Sequence, residues 1–489
     1  AEPGKTSSTL ITLPVELLAE ILKLLAWRDI LQVRGACRFL AEATKTRYVW
    51  VHLVNEHILA NPLPPRLERP IEMHSSQELE HLLLLWKSAD LGLEANTFHP
   101  ARERTFFGVK TSYDSARDKS IHLTKGGRWL LVAEQTAAVT YYDLDAESIS
   151  GVRLIPNQME FDDSSRVMMT VDYDTYSPFL EFTIALSLED AAPWEEPLTS
   201  IRHIRTVQIW RVGVVLDDTQ HAAGLTATFL ASFPHRPEIR AILSLSLLGP
   251  MIAFTAITRG ATYAFVVDWT LANGNSLEYP WRVVQWTMHQ GHINLLPGSR
   301  LFVASRGNFS LSDYSITPET TRLPDPPHRS FPAIWQVKGH TCTKGSSCFL
   351  TENKARIVVG HPLSLFTVSF NNTPVSNELP DIVQLPPGPW PLFYAQTFLG
   401  HKHIIAISMR GYMTVMTYTS PGFATPGSPT DVFRQYALLN TPAARQPYLD
   451  EDSGRIVYVI EPKKPDKLDH TRPDHMEFAV LDFATTFKQ

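Results

Sequence analysis

One unit recurs along most of this chain: an apolar run, a short polar turn and a second apolar run that ends near an aromatic or an aspartate. It stands in "GGRWLLVAEQTAAVTYYD" from Gly126, "GPMIAFTAITRGATYAFVVDW" from Gly249, "GSRLFVASRGNFSLSDYS" from Gly298, "KARIVVGHPLSLFTVSF" from Lys354 and "HKHIIAISMRGYMTVMTYT" from His401. Two longer versions join them. "SSRVMMTV" from Ser164 has its partner displaced towards "TVQIWRV", and "SGRIVYVI" from Ser453 closes with "MEFAVLDF" after a polar insertion. Arg128 to Tyr142, Arg300 to Tyr314 and Arg356 to Phe370 are each fourteen residues apart, the constant separation that two strands joined by one fixed hairpin require.

Seven such hairpins, spaced by roughly 40 to 55 residues apart from one wider gap, leave length for an inner and an outer strand in every unit. The sequence therefore predicts an all-β domain over 96–489, a seven-bladed β-propeller. A pair of β-sandwiches is the rival, since it also gives short strands at even spacing. The fixed hairpin and the lack of a break in composition favour the ring. An open row would leave two unpaired edges, so the strand near "RTFFGVK" is expected to pair beside "EFAVLDF". Endings such as "YYDLD", "FVVDW" and "AVLDF" resemble the close of WD-type blades, without the usual glycine-histidine signature.

Ahead of residue 90 the apolar period is helical. Leu13, Leu17, Leu18, Ile21, Leu22 and Leu25 line one broad face of a helix starting at Pro14, where a missing N–H is no loss. Asp29 is placed to cap a second helix through Ile30, Val33, Cys37 and Leu40, and a third follows through Tyr48, Trp50 and Leu53. The prolines of "NPLPPRLERP" mark a stiff linker. Ser75 and Glu78 then stand at capping-box spacing before Leu79, Leu82, Leu83 and Trp86, which predicts a connecting helix. The expected organisation is α+β and multidomain: a three-helix domain over 11–58, linker and connecting helix over 59–95, and the β domain over 96–489.

The order Leu13-Pro14, Glu16-Leu17-Leu18, Ile21-Leu22, Leu25, Trp27-Arg28-Asp29, Val33, Cys37-Arg38 and Trp50 resembles the F-box, the helical motif by which substrate receptors join SCF-type cullin-RING ubiquitin ligases. Gly35 is the departure, a helix-breaking residue inside the second helix. The resemblance implies that Leu13, Pro14, Leu17, Leu18, Ile21, Leu22, Leu25, Arg28, Asp29, Val33, Cys37 and Trp50 dock a Skp-type adaptor and, through it, a cullin. It also implies that the β domain captures a protein for ubiquitination, a non-catalytic role. The bland alternative is a helical cap that only closes one end of the larger domain. Against that, a unit this small buries a poor core and leaves apolar surface for a partner.

Composition narrows the remaining classes. Lys and Arg total 44 against 50 Asp and Glu, a net charge of −6 that argues against coating a polyanion. Three cysteines, Cys37, Cys342 and Cys348, do not make the disulfide framework of a secreted domain, so a reducing cytoplasmic or nuclear setting is expected and the sequons at Asn308 and Asn371 go unused. No apolar stretch of membrane-spanning length is present.

Chemistry-bearing motifs are scarce. There is no phosphate-binding glycine loop, zinc-protease helix or nucleophile elbow. His340, Cys342 and Cys348 in "GHTCTKGSSC" lack metal-site spacing and a fourth ligand, so no metal or other cofactor is expected. Asp172 with Asp174, and the trio Asp450, Glu451 and Asp452, read as solvated hairpin ends. Three hairpins carry an Arg-Gly pair at the same place: Arg259-Gly260, Arg306-Gly307 and Arg410-Gly411. Glycine there serves a tight turn. If all three turns share one rim, the arginines form a substrate-binding ring for an acidic or phosphorylated group. The expected function is thus a ubiquitin-ligase substrate receptor, with a scaffold lacking ubiquitin transfer, or a propeller hydrolase, as alternatives.

Overall fold

The computed structural model describes residues 13–61, 63–95, 99–109, 111, 120–158, 165–174, 177, 179–190, 206–258, 261–272, 274, 276–287, 291–322, 333–341, 344–351, 353–361, 364–373, 379–385, 396–407, 412–417, 432–437, 444–460 and 475–484. Five α-helices lead: α1 (Val15–Lys23), α2 (Trp27–Arg34), α3 (Arg38–Thr44), α4 (Arg47–Ala60) and α5 (Ser76–Glu94). The expected three-helix domain thus becomes four short helices. The second is cut by Gly35, which caps the C-terminus of α2 instead of lying inside a longer helix. Asp29 is not a cap either; α2 opens from Ala26, and Asp29 sits in the first turn, where its charge complements the dipole. Ser75 and Glu78 form the expected reciprocal capping box of α5.

Strands follow from Arg102 onward and assemble into seven antiparallel sheets among the described residues. The first has Ile121–Leu123, Trp129–Ala133, Val139–Asp143 and Gly151–Ile155 in spatial order, and the third has Ala241–Leu248, Met251–Ile257, Thr262–Asp268 and Arg282–Thr287. The sixth repeats this with Gln396–Leu399, His403–Ile407, Tyr412–Thr417 and Val432–Ala437. In the fourth, Arg300–Asp313 doubles back on itself: Tyr314 N–H donates to Ser299 O at 2.9 Å, Ser310 Oγ reaches Val303 O, and Gly307 turns with φ +92°. That hairpin lies between His292–Leu296 and Ala333–Thr341. The fifth splits its first strand into Lys344–Gly345 and Phe349–Leu350, which both pair with Lys354–His361 ahead of Ser364–Asn371 and Asp381–Leu385.

The recurring sequence unit is therefore the second and third strand of each sheet, with one exception. "SSRVMMTV" belongs to the first strand of sheet two, Ser165–Tyr173, and its partner is Glu181–Asp190 rather than "TVQIWRV". The latter lies in the third strand, Thr206–Leu216, beside Ala222–Pro234. Glu181–Asp190 alternates apolar and polar residues like any neighbour, so pairing with the nearer strand shortens the loop to be closed.

Each sheet shares an apolar cluster with the next. Sheets one and two meet through Trp129, Leu131, Phe182 and Ile184; two and three through Phe233, Phe254, Phe265 and Trp281; three and four through Ala253, Val266, Leu295 and Leu301. Phe302, Phe309, Ile357 and Val368 join four to five, Val358, Leu399 and Ile404 five to six, and Ile405, Val415, Ile456 and Leu481 six to seven. Leu130, Tyr142, Val457 and Phe478 complete the circle between seven and one. A ring of radially packed antiparallel sheets is a β-propeller. Its closure is the expected one: Arg102–Val109 is the outer strand of sheet seven, paired with His475–Asp482 in a register that sets Phe106 opposite Phe478.

The helices are not a free appendage. Leu79, Leu83 and Trp86 of α5 complete the core built by Leu18, Leu22, Ile30, Val49, Trp50, Leu53 and Val54, while Leu93 at its far end enters the cluster between sheets six and seven. Arg34 grips α5 through a two-pronged ion pair to Glu80, with Nη2 2.9 Å from Oε2, and Trp50 Nε1 donates to Thr44 O at 2.8 Å. Gly92 marks the tightest approach, because a Cβ there would stand 2.2 Å from the carbonyl oxygen of Phe483. Two effects oppose each other in Gly92→Ala: helix propensity gains about 1 kcal/mol, and the clash costs roughly 1–3 kcal/mol. The contacted atom is backbone and cannot swing away. The variant is expected to melt lower than the parent, and a rise in melting temperature would show that α5 does not bear on the closing sheet this closely.

Candidate functional site

Two of the twelve expected docking residues present apolar side chains to solvent on α1. Leu17 is 52% exposed and Ile21 38%, and Leu24, beyond the helix end, is 85% exposed. Spaced by four and three residues, they form one stripe that also takes in exposed Pro14. Tyr48 of α4, 53% exposed, is tied to the same helix, because Lys23 Nζ donates to the Tyr48 hydroxyl at 2.9 Å while pairing with Glu20 at 2.7 Å. Arg28 and Asp29 are exposed at the start of α2; Leu13, Leu25, Val33 and Cys37 are half-buried. Leu18, Leu22 and Trp50 are corrections, since each is at most 3% exposed and belongs to the helical core. A one-sided helix of this amphipathicity must bury one stripe within the chain, and α3 and α4, with α5 packed behind α4, supply the cover that the sequence reading assigned to a partner. Leu24 and Tyr48 were not foreseen as site residues. The i, i+3, i+4 spacing from Leu17 would have found Leu24, whereas Tyr48 depends on how α4 packs.

The linker, expected as a stiff spacer, is a strap bound to the propeller. Leu67 bridges to Phe179 and its carbonyl accepts from Leu180 N at 2.7 Å. Glu68 accepts from Arg128 Nη1 and from Trp129 Nε1, both at 2.7 Å. Arg66 donates to Ser177 O, and Arg69 donates to Gln220 O and pairs with Glu78. Four consecutive residues, three through side chains and Leu67 through its backbone, thus anchor the helices to sheets one and two, which holds the exposed stripe of α1 in one orientation relative to the ring.

On the propeller, Arg259 and Arg410 with their glycines lie outside the described residues, as does the side chain of Arg306. Gly307 does adopt the positive φ that turn chemistry calls for. The arginines at the opposite turns tie blade to blade. Arg455 donates to Gly127 O at 2.8 Å and to Asp145 at 2.9 Å of sheet one, as well as to Asp482. Arg300 reaches Asn371 O of sheet five, and Arg128, besides binding Asp143 and Glu68, donates to Ala222 O of sheet two at 2.9 Å.

Three of the five carboxylates read as solvated hairpin ends, Asp172, Asp450 and Glu451, serve the same purpose, while Asp174 is exposed as expected. Asp450 Oδ1 accepts from Gly126 N at 3.1 Å and its Oδ2 from Ser453, and Asp172 accepts from Gly249 N at 2.7 Å. Burial pushes the Asp172 carboxyl up to about 6. Glu451 accepts from the backbone N–H groups of His401, Lys402 and His403. Burial alone would raise its pKa, but the hydrogen bond and charge of His403, aided by His401, hold it at about 2. Each carboxylate fastens the turn of an adjoining blade, which requires it to leave water. Burial pushes the Cys348 thiol up to about 12, the opposite of a reactive cysteine. The side chains of His340 and Cys342 lie outside the described residues.

Three histidines make the fold acid-sensitive. Burial pushes His57, stacked on Trp86, His122, beside the Tyr173 hydroxyl, and His401, against Phe349, down to about 4. Their folded pKa values lie below the unfolded value near 6.5, so the unfolded chain binds more protons in between. Stability from these groups is fully present above about pH 6.5 and is lost as pH falls through about 4. Unfolding across that window should take up about three protons on their account, and His122→Gln should remove about one. An unchanged pH slope of the denaturation midpoint in His122→Gln would contradict the buried neutral imidazole.

No family model matches the chain, and no curated protein matches it. Among solved structures, the WD40 domain of SCAP from fission yeast aligns with 75% of this chain and 85% of that one, at 8% identity and a TM-score of 0.36. The Cps50 (Swd1) β-propeller domain of Myceliophteria thermophila aligns with 76% of this chain and 99% of that one, at 9% identity and a TM-score of 0.42. The propeller assignment for this chain rests on its own strand pairing and closed ring of apolar clusters. No described helix is long and apolar enough to cross a membrane.

Proposed function

We propose that the chain is a substrate receptor of an SCF-type ubiquitin ligase, with α1 and its neighbours docking a Skp-type adaptor and the propeller holding a protein to be ubiquitinated. The observation that carries this reading is the solvent-facing stripe of Leu17, Ile21 and Leu24 on a helix whose other side is sealed by the chain's own α3 and α4. Apolar side chains clustered this way on an otherwise polar helical face favour a protein partner. The F-box-like order of residues names its class. The receptor makes and breaks no bonds; it raises the effective concentration of the captured protein near the charged ubiquitin carrier. The strap suits that task, because a fixed angle between helices and ring keeps the captured protein within reach.

The test is reconstitution. The full chain, co-expressed with a Skp-type adaptor, cullin and RING subunit, should co-purify as a stoichiometric complex, and proteins recovered on its propeller from cells should gain ubiquitin in the presence of the activating and conjugating enzymes. Complex formation without ubiquitin transfer to any recovered protein would favour the scaffold reading. No complex at all would overturn the docking role.

A further inference from the structure

A cleft of about 590 Å³ opens where α5, the strap and the first two sheets meet. Its lining carries two kinds of chemistry. Leu82, Leu85 and Trp86 of α5 contribute apolar surface, and Arg66 and Lys125 contribute cations. The carboxylates around it are already engaged: Glu68 with Arg128, Glu78 with Arg69, and Asp145 with Arg455. Those pairs also occupy Arg69 and Arg128. Lys125 stands apart. Its ammonium lies 5.0 Å over the ring of Tyr173 and has no ion pair within 4.0 Å among the described residues. The carboxylates that act on it from further off are Asp452, Asp450 and Asp172, of which Asp450 and Asp172 already accept hydrogen bonds from the turns at Gly126 and Gly249. Burial, then the charge of Arg66, lowers the Lys125 pKa against the pull of these three carboxylates.

We propose that this cleft binds a small amphipathic anion with a single head group, a carboxylate or phosphate at Lys125 and Arg66, and an apolar body against Leu82, Leu85 and Trp86. Its volume falls within the range of about 300–1,000 Å³ typical of small-molecule sites, and a mostly apolar lining with a few placed polar groups is the usual construction. A neutral apolar ligand would bury Lys125 further with no counter-charge, at a desolvation cost. A ligand with several negative charges would meet Glu68, Glu78 and Asp145 around the cleft, so a single charged head fits best. The walls come from three separate segments, and a ligand that touches all three should stabilise the whole chain.

Calorimetric titration of the full chain with dodecanoate, dodecyl phosphate, dodecanol and inorganic phosphate tests this site. One saturable site is expected for dodecanoate or dodecyl phosphate, the tighter of the two identifying the head group, with a matching rise in melting temperature. Dodecanol should bind at least about tenfold more weakly, and inorganic phosphate should show no saturation. Lys125→Met should weaken the anionic ligands by about tenfold or more and leave dodecanol unaffected, while Lys125→Arg, which keeps the charge, should retain them. Leu85→Glu should block every ligand with a chain. Equal affinity of the parent and Lys125→Met, binding that survives Leu85→Glu, or no saturable binding of either anion would overturn the proposal.

Discussion

A chain carrying both Leu17→Asp and Ile21→Asp is expected to lose co-purification with the adaptor while melting within a few degrees of the parent. Both side chains are substantially exposed, at 52% and 38%, so the free protein loses little burial and mainly the helix preference of Leu and Ile over Asp, on the order of tenths of a kcal/mol per site. In a complex that covers them, each substitution removes roughly 1.5–3 kcal/mol of apolar burial and adds the cost of desolvating a carboxylate. A combined loss of several kcal/mol lowers affinity by a thousandfold or more, on the order of 1.4 kcal/mol per factor of ten. Leu18→Asp and Leu22→Asp give the contrast. These positions are 1% and 3% exposed, so they should unfold the helical core and lose the adaptor for a different reason, visible as a lost transition in melting. Undiminished adaptor binding by a folded Leu17→Asp, Ile21→Asp chain would remove the stripe from the docking face.

Ending the chain at residue 474 should abolish the folding of the entire ring. The cut removes His475–Asp482, which lies between Arg455–Ile460 and Arg102–Val109, so one sheet loses its third strand and its fourth is left with no partner. Phe478, Val480 and Leu481 are each fully buried, and at roughly 1.5–3 kcal/mol apiece their loss approaches the 5–15 kcal/mol that typically separates folded from unfolded domains. Asp482 goes as well, which strips Arg104 and Arg455 of a buried partner. An open ring then exposes two sheet edges and both apolar faces flanking sheet seven. Circular dichroism and a thermal melt would check this: loss of the cooperative transition is expected, and a truncated chain that keeps one transition at the parent temperature would show that the ring does not depend on its closing strand.

How much of this was legible from the residues follows from the range of the forces involved. Six of the seven hairpins, the Ser75–Glu78 cap, the bend at Gly307 and the pairing of "RTFFGVK" with "EFAVLDF" rest on period-two alternation, turn chemistry and the avoidance of open edges, all of which neighbouring residues express. The sequence by itself therefore determined a helical start, a β domain of seven strand pairs and its closure. Tertiary structure alone decided which apolar side chains stay exposed. Leu17 and Leu18 are equally apolar neighbours, yet one faces water and the other lies in the core that α1 shares with α3 and α4, because burial depends on what another segment covers. It also turned the proline-rich linker into a strap, through Glu68 meeting Arg128 and Trp129, and turned the apparently solvated Asp450 into the anchor of Gly126, 324 residues away. Hydrogen bonds and ion pairs between side chains so remote leave no periodic trace along the chain. Only the folded ring brings their partners within 3 Å or so of each other, and only there does the cost of removing charge from water acquire its compensation.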